Sequence, residues 1–420
     1  MSSFVFSLSF VAALGLSVAM RLWLARRQVV HVGRHRDRVP EAFADRIDLA
    51  AHQRAADYTV ARVRFGTLEL FAHSVLLITL TLLGALQWLY ELASSALPGS
   101  PLGAQLLFLV MVALVQSALE LPFDAYRQFG LEKRFGFSRM SVSLFITDML
   151  RGTLIAVIIG LPLAMLVLWL MRASGDFWWL YVWMVWVAFN ALLLLIYPTL
   201  IAPRFNRFEP LPDGPLRERV EGLLRRCGFR SQGLFVMDGS KRSNHGNAYF
   251  TGFGRAKRIV FFDTLISRLD ADQIEAVLAH ELGHFRHRHV LKRMLYSFVG
   301  SFLGLALLGW LSTQLWFYEG LGMQPGPIGH EAPALLLFML AVPVFLFPLR
   351  PLASFLSRKD EFEADAFAAA QTDARHLVSA LVRLYQDNAA TLTPDPLHSA
   401  FYDSHPPAAI RVGRLLAAAA

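Results

Sequence analysis

Seven apolar stretches constrain this chain more than anything else in it. They cover residues 4–24, 67–90, 104–121, 153–171, 178–197, 296–316 and 332–349. About 20 such residues span the hydrocarbon of a bilayer as a helix. Inside that layer each backbone N–H and C=O must be bonded within its own segment, which leaves helices as the spanning form here. The sequence therefore predicts an all-α multi-pass membrane protein. The composition agrees, with 55% hydrophobic and only 17% charged residues among 420. The first stretch follows Met-Ser-Ser, which has no basic residue, and arginines come after it. That order is the reverse of a secretory signal, so a retained helix is expected.

The loops between the stretches alternate in charge. The first holds nine arginines: Arg26, Arg27, Arg34, Arg36, Arg38, Arg46, Arg54, Arg62 and Arg64. The second and sixth hold no Lys or Arg, and the short fourth has Arg172 alone. The third carries Arg127, Lys133, Arg134, Arg139 and Arg151, and the long fifth is basic throughout. Positively charged loops stay in the cytoplasm, so the N-terminus is expected outside, with the fifth loop and the C-terminus inside. This placement accounts for the net charge of +8 and argues for a bilayer rather than nucleic acid as partner. Cys227 has no second cysteine to pair with and reads as a small core residue. The spans hold no evident pair of ionisable groups, which argues against a transport path. Pro162 and Pro343 are expected to kink their helices, and Asn190 needs a polar partner.

The fifth loop reads as a small α+β unit. Residues 216–227 form an amphipathic basic pattern, and 234–237 a short strand. Residues 247–253 and 258–262 read as a hairpin turned through 254–256. Its open edge suits an extended peptide. A helix follows from 270, capped by Asp270 or Asp272, with Ile274, Val277, Leu278 and Leu282 at helical spacing.

That helix contains His280-Glu281-Leu282-Gly283-His284, an HExxH pattern. Its histidines lie one turn apart on one face and can share one Zn²⁺, with Glu281 beside them to take a proton from the attacking water. His287 and His289 read as a polar rim at the helix end. A hydrolytic zinc site with two histidines needs a third ligand. After the seventh stretch, Glu361 and Asp365 share a helix face in a pattern that continues to about Tyr385, while Glu363 points elsewhere. Glu361 is the expected third ligand, and Asp365 the residue that orients a histidine or passes a proton. In the tail, His405 precedes Pro406 and Pro407 and is rigidly aimed. With Arg411 it is expected to meet the transition state or a substrate carboxylate.

Together these segments resemble the type I CAAX prenyl proteases, integral-membrane zinc metallopeptidases. The resemblance rests on Leu121-Pro122-Phe123 with Gly130-Leu131-Glu132-Lys133-Arg134-Phe135-Gly136-Phe137, on Ser243-Asn244-His245-Gly246-Asn247-Ala248-Tyr249-Phe250, on Lys257-Arg258-Ile259-Val260 and on Phe262-Asp263-Thr264-Leu265. It rests also on HELGH, on Ser357-Arg358 with Glu361-Phe362 and Ala364-Asp365, and on His405-Pro406-Pro407 with Arg411. It implies seven helices in a barrel around a chamber, with a zinc-metallopeptidase domain built on the HExxH helix and the hairpin. It implies one Zn²⁺ held by His280, His284 and Glu361, Glu281 activating water, Asp365 as an accessory acid, and Asn247, His405 and Arg411 contacting the peptide. It implies cleavage near the C-terminus of prenylated CAAX proteins. Residues 1–200 are then a membrane region of five helices, and 201–420 a metallopeptidase region that includes the last two. The Arg/Ala/Leu-rich, one-cysteine composition suits a bacterial plasma membrane. Two alternatives are a quality-control protease with no lipid requirement and a non-catalytic membrane protein with a vestigial metal site.

Overall fold

The computed structural model describes residues 1–229, 233–251, 258–324, 326 and 328–419. Among helices of seven residues or more, α1 is Ser3–Arg34, α2 Leu49–Leu80, α3 Ala85–Ala96, α4 Pro101–Tyr126, α5 Val142–Ala173 and α6 Trp178–Ile196. The fifth loop contributes α7 Pro215–Arg226 and α8 Ala271–Arg286. Then come α9 His289–Leu311, α10 Glu331–Leu346, α11 Arg350–Gln371, α12 Ala374–Asp387, α13 Pro396–Tyr402 and α14 Ala408–Ala419. Short side chains start several of them: the Ser2 hydroxyl accepts from the Val5 N–H, Asp48 from Ala51 and Ser141 from Leu144.

Among the described residues, seven helices are long and apolar enough to cross a membrane. Several boundaries move. The second crossing belongs to α2 and stops at Leu80; the chain turns at Thr81–Gly84, where Gly84 has φ +77°, and α3 packs back against α4. Residues 49–66, polar enough to read as loop, extend α2 instead, because hydropathy cannot see a polar helix. The sixth crossing ends at Leu311, and Trp316 lies on a separate short helix. The seventh is bent at Phe347–Leu349 but runs on through α11, so Glu361 rides on its extension. The helical pattern expected to reach Tyr385 breaks after Gln371, where the Asp373 carboxylate caps α12.

Neighbouring helices form a ring in the order α2, α1, α10, α9, α6, α5, α4. Side chains close it between α2 and α4: Phe65 packs on Phe123 and Tyr126, Glu69 pairs with Arg127, and His73 Nε2 lies 2.5 Å from Glu120 Oε1. The expectation that the spans lack paired ionisable groups is thus corrected. His73 and Glu120 sit on different crossings, and nothing in the linear sequence says that α2 and α4 are neighbours. Asn190 finds its polar partner within its own helix, its amide donating to the Trp186 carbonyl one turn back.

One large apolar core fills one end of the ring. It joins Phe6, Phe10 and Leu14 of α1 to Phe108 of α4, Leu168 of α5, Val182 of α6, Leu308 of α9 and Leu337 of α10. Toward the other end the ring opens onto a cavity of about 980 Å³.

A second core holds the α+β unit, and Phe43 and Ile47 from the first loop are part of it. Both cores therefore draw on both halves of the chain. The sheet runs β1 Phe208–Pro210, β2 Leu234–Met237, β4 Arg258–Phe262, β3 Ala248–Thr251 in spatial order. β2 and β4 are parallel and the other pairs antiparallel. The expected hairpin is present as β3 and β4, while its turn at 254–256 lies outside the described residues. β3 is an outer strand, with one edge free of sheet bonds among the described residues.

Candidate active site

Helix α8 starts on a reciprocal cap: Asp270 accepts from the Gln273 N–H while the Gln273 side chain accepts from the Asp270 N–H. Ile274, Leu278, Ala279 and Leu282 bury one face in the second core. Another face lies against α11, and Gly283 is the point of closest approach. A methyl group there would sit 2.8 Å from the Ala364 Cα and 3.0 Å from its carbonyl oxygen. Only glycine lets the two backbones meet so closely.

That approach brings His280 and His284 to Glu361. The two histidine Nε2 atoms are 3.2 Å apart; His280 Nε2 lies 3.5 Å from Glu361 Oε2, and His284 Nε2 lies 3.3 Å from Glu361 Oε1. An ion bound tetrahedrally at the 2.0–2.1 Å typical of zinc separates its ligand atoms by about 3.3–3.4 Å. The three separations fit that figure. Glu361 is 3% exposed, and its Oε2 is buried with no hydrogen-bond partner among the described residues. Arg411 Nη1 lies 3.6 Å from it, outside hydrogen-bond reach, and a bound cation would supply a closer partner.

Each histidine is held from behind. His280 Nδ1 lies 2.8 Å from Asp365 Oδ1, and Arg411 grips that carboxylate through Nε and Nη2, both at 2.7 Å. Arg411 is 5% exposed. Its guanidinium faces Asp365 and His280 inside the protein, not the cavity. Asp365 thus stands behind the His280 ring and is itself held there by Arg411. His284 Nδ1 lies 2.9 Å from His289 Nδ1, and His289 Nε2 lies 3.1 Å from Glu363 Oε2.

His289 was expected at a polar rim and is instead 1% exposed. The chain reverses at Arg288, whose left-handed φ of 57° starts α9 and swings His289 back under His284. Glu363, expected to point away, is its acceptor; His287 stays at the exposed rim. His287, His289 and Glu363 could by distance hold a second ion. Proton placement argues otherwise. Were His284 to hold a metal through Nε2, its proton would sit on Nδ1 and be donated to His289, and the His289 proton would then sit on Nε2, facing Glu363. A cation on that nitrogen would need the proton gone.

Glu281 makes no hydrogen bond among the described residues. Burial holds its carboxyl above the ordinary range, against the pull of His280 and His284. His405 reaches the same place from the tail, with Nε2 3.5 Å from Glu361 Oε1 and Nδ1 3.0 Å from the Ser404 hydroxyl. Its side chain is 63% exposed, and it lines the cavity with Pro406 and Pro407. Asn247 stands exposed at the head of β3; its Oδ1 accepts from the Ala248 N–H, and its NH₂ has no partner among the described residues.

Two further cavity residues carried no role from the sequence. His245 stacks on Phe137 and pairs through Nδ1 with Asn388 Oδ1 at 2.9 Å. Tyr58 donates to Glu132 at 2.6 Å. They join the first and third loops to the α+β unit. For His245 the signal was at hand in the Ser243–Phe250 motif; for Tyr58 there was none.

Residues 210–419 match peptidase family M48. The chain belongs to this family. As an M48 peptidase it is a multi-pass membrane metalloendopeptidase. Residues 28–207 match a second family, described as the CAAX prenyl protease N-terminal region with five membrane helices. The CAAX prenyl protease 1 homolog of Arabidopsis thaliana is 36% identical over 387 residues, covering 88% of each chain. CAAX prenyl protease 1 of Saccharomyces cerevisiae is 34% identical over 402 residues, covering 90% of this chain and 88% of that one. The crystal structure of S. mikatae Ste24p superposes with a TM-score of 0.90 at 31% identity, covering 98% and 99% of the two chains.

Proposed function

We propose that this M48 peptidase is a zinc endopeptidase that cuts near the C-terminus of CAAX-type substrates, prenylated ones included. The observation that carries the reading is the convergence of His280 Nε2, His284 Nε2 and the buried Glu361 carboxylate, each histidine nitrogen within 3.5 Å of one carboxylate oxygen. Held by His280, His284 and Glu361, zinc supplies a Lewis acid that brings the pKa of water to about 7 and polarises a carbonyl. Glu281 takes the proton of the attacking water and later returns it to the leaving amine. His405 donates to the oxyanion as it forms. Asp365 fixes the His280 ring, and His289 fixes that of His284. Arg411 acts through Asp365, in place of the direct peptide contact expected of it. The free edge of β3 pairs with the extended substrate, and the Asn247 NH₂ donates to its backbone.

The loop charges support an N-terminus outside and a cytoplasmic active site and C-terminus, in a bacterial plasma membrane on composition. The apolar core that fills one end of the ring among the described residues counts against a transporter.

The test is hydrolysis of a farnesylated CAAX peptide and its unlipidated twin, each with and without a chelator. The expected result is cleavage abolished by chelation, restored by zinc and faster with the lipid. Equal cleavage of both peptides would favour the quality-control reading. An intact fold with zinc content near zero would leave a vestigial site.

A further inference from the structure

Helix α1 has 32 residues and a length of about 48 Å at 1.5 Å per residue, well beyond the roughly 30 Å of hydrocarbon in a bilayer. Its first two-thirds are apolar, so the segment from Trp23 onward emerges at headgroup depth. Trp23, Arg26, Arg27, His31 and Arg34 recur there at three- and four-residue spacing and so lie along one stripe. With Asp395 from the loop before α13 they line a pocket of about 280 Å³. The charges in it are not equivalent. Arg27 stacks on Trp23 and is committed to Asp395, whose carboxylate it meets through Nε at 3.1 Å and Nη2 at 2.9 Å. That pair cancels itself and fixes the wall. Arg26 and Arg34 are exposed and have no acidic partner among the described residues. Above the pocket the same helix exposes Leu8 and Leu16 toward that side, each at 57% or more, down to Trp23 at 51%.

From the amino end, then, this side of α1 presents apolar side chains, an indole and unpaired guanidinium groups. An anionic phospholipid has the same order of polarity from tail to headgroup. We propose that the Trp23–Arg34 pocket is a binding site for one anionic glycerophospholipid, with Arg26 and Arg34 on its phosphate, Trp23 at the glycerol level and the tails along Leu16 and Leu8. Tryptophan at the boundary and clustered arginines below it are the usual elements of such recognition.

The test uses the full-length protein in detergent, with native mass spectrometry counting bound dioleoylphosphatidylglycerol and dioleoylphosphatidylcholine at equal concentration. Wild type should keep one phosphatidylglycerol in preference to phosphatidylcholine. The double variant Arg26→Gln, Arg34→Gln should bind it about thirtyfold more weakly, at the ordinary worth of two juxtamembrane arginines. Zinc content should stay unchanged. Equal retention of the two lipids by wild type would overturn the proposal. So would an unaltered preference in the double variant. Displacement of the lipid by millimolar inorganic phosphate would overturn it too, by making the pocket a phosphate site.

Discussion

Replacing Gly283 with alanine tests the packing that assembles the metal site. The new methyl would lie 2.8 Å from the Ala364 Cα, 3.0 Å from its carbonyl oxygen and 3.1 Å from the Phe367 Cβ. Two of these three atoms are backbone and cannot step aside. Restoring even a tight 3.4 Å contact parts α8 and α11 by about 0.6 Å, against a tolerance of about 0.2 Å in metal–ligand distance. His280 and His284 ride on one of these helices and Glu361 on the other, so the parting falls on the ligand triad. Overpacking of this kind costs about 1–3 kcal/mol, while alanine in a helix interior returns about 1 kcal/mol over glycine. The fold should survive, and the strain should appear as zinc affinity lowered about 10- to 100-fold, at 1.4 kcal/mol per tenfold. Chelator competition on purified protein measures this directly, beside thermal unfolding with and without zinc. If helix propensity alone governed the site, Gly283→Ala would be more stable and bind zinc as wild type does; that outcome refutes the reasoning. Adding Ala364→Gly should not rescue the variant, because the obstructing atoms remain.

Other expectations follow from the same site and its supports. Glu281→Gln should keep its zinc yet lose turnover by about 10²- to 10⁴-fold, read by metal analysis beside peptide hydrolysis. His289→Ala should lower zinc affinity about 10- to 100-fold without touching a metal ligand, and His289→Asn, which retains an acceptor near Nδ1, should recover part of it. Arg411→Leu strands the buried Asp365 carboxylate and should cost about 3–5 kcal/mol in thermal or denaturant unfolding; Arg411→Leu with Asp365→Asn should cost less. Asp395 gives a pH dependence. Burial pushes its carboxyl up, but the bonds from Arg27 and the His398 N–H outweigh it and hold the folded value below the ordinary 3.8. A lowered carboxylate contributes stability above its unfolded pKa and loses it as pH falls through the folded one. Asp395→Asn should therefore melt earlier than wild type at pH 7, and the gap should close below about pH 4.

The sequence was most legible where chemistry and periodicity coincide. His280, His284 and Glu361, which the fold brings together, could be grouped because two histidines one turn apart on a helix ask for a third ligand and acidic candidates sharing a face are few. The crossings were legible because hydropathy is a local property. What escaped was non-local or hidden by polarity. The amino half of α2 reads as loop because His52, Arg54, Asp57 and Arg62 mask a continuous helix. His73 and Glu120 read as unrelated because their contact depends on which helices are neighbours. His289 read as rim because a single left-handed residue, Arg288, decides which way it turns. Arg411 read as a peptide contact because sequence cannot tell a guanidinium in the cavity from one buried behind a ligand.

The continuity of the ligand-bearing helices with the last two crossings has a consequence for the lipid environment. Glu361 is carried on the extension of the seventh crossing, and the helix that bears the imidazoles is separated from the sixth only by His287 and Arg288. A crossing too long or too short for its bilayer answers by tilting. Unequal tilt of these two would slide carboxylate against imidazole, the motion that the ion resists. Hydrocarbon thickness thereby becomes a variable of the catalytic centre, and reconstitution into lipids of graded chain length should register as graded retention of the ion.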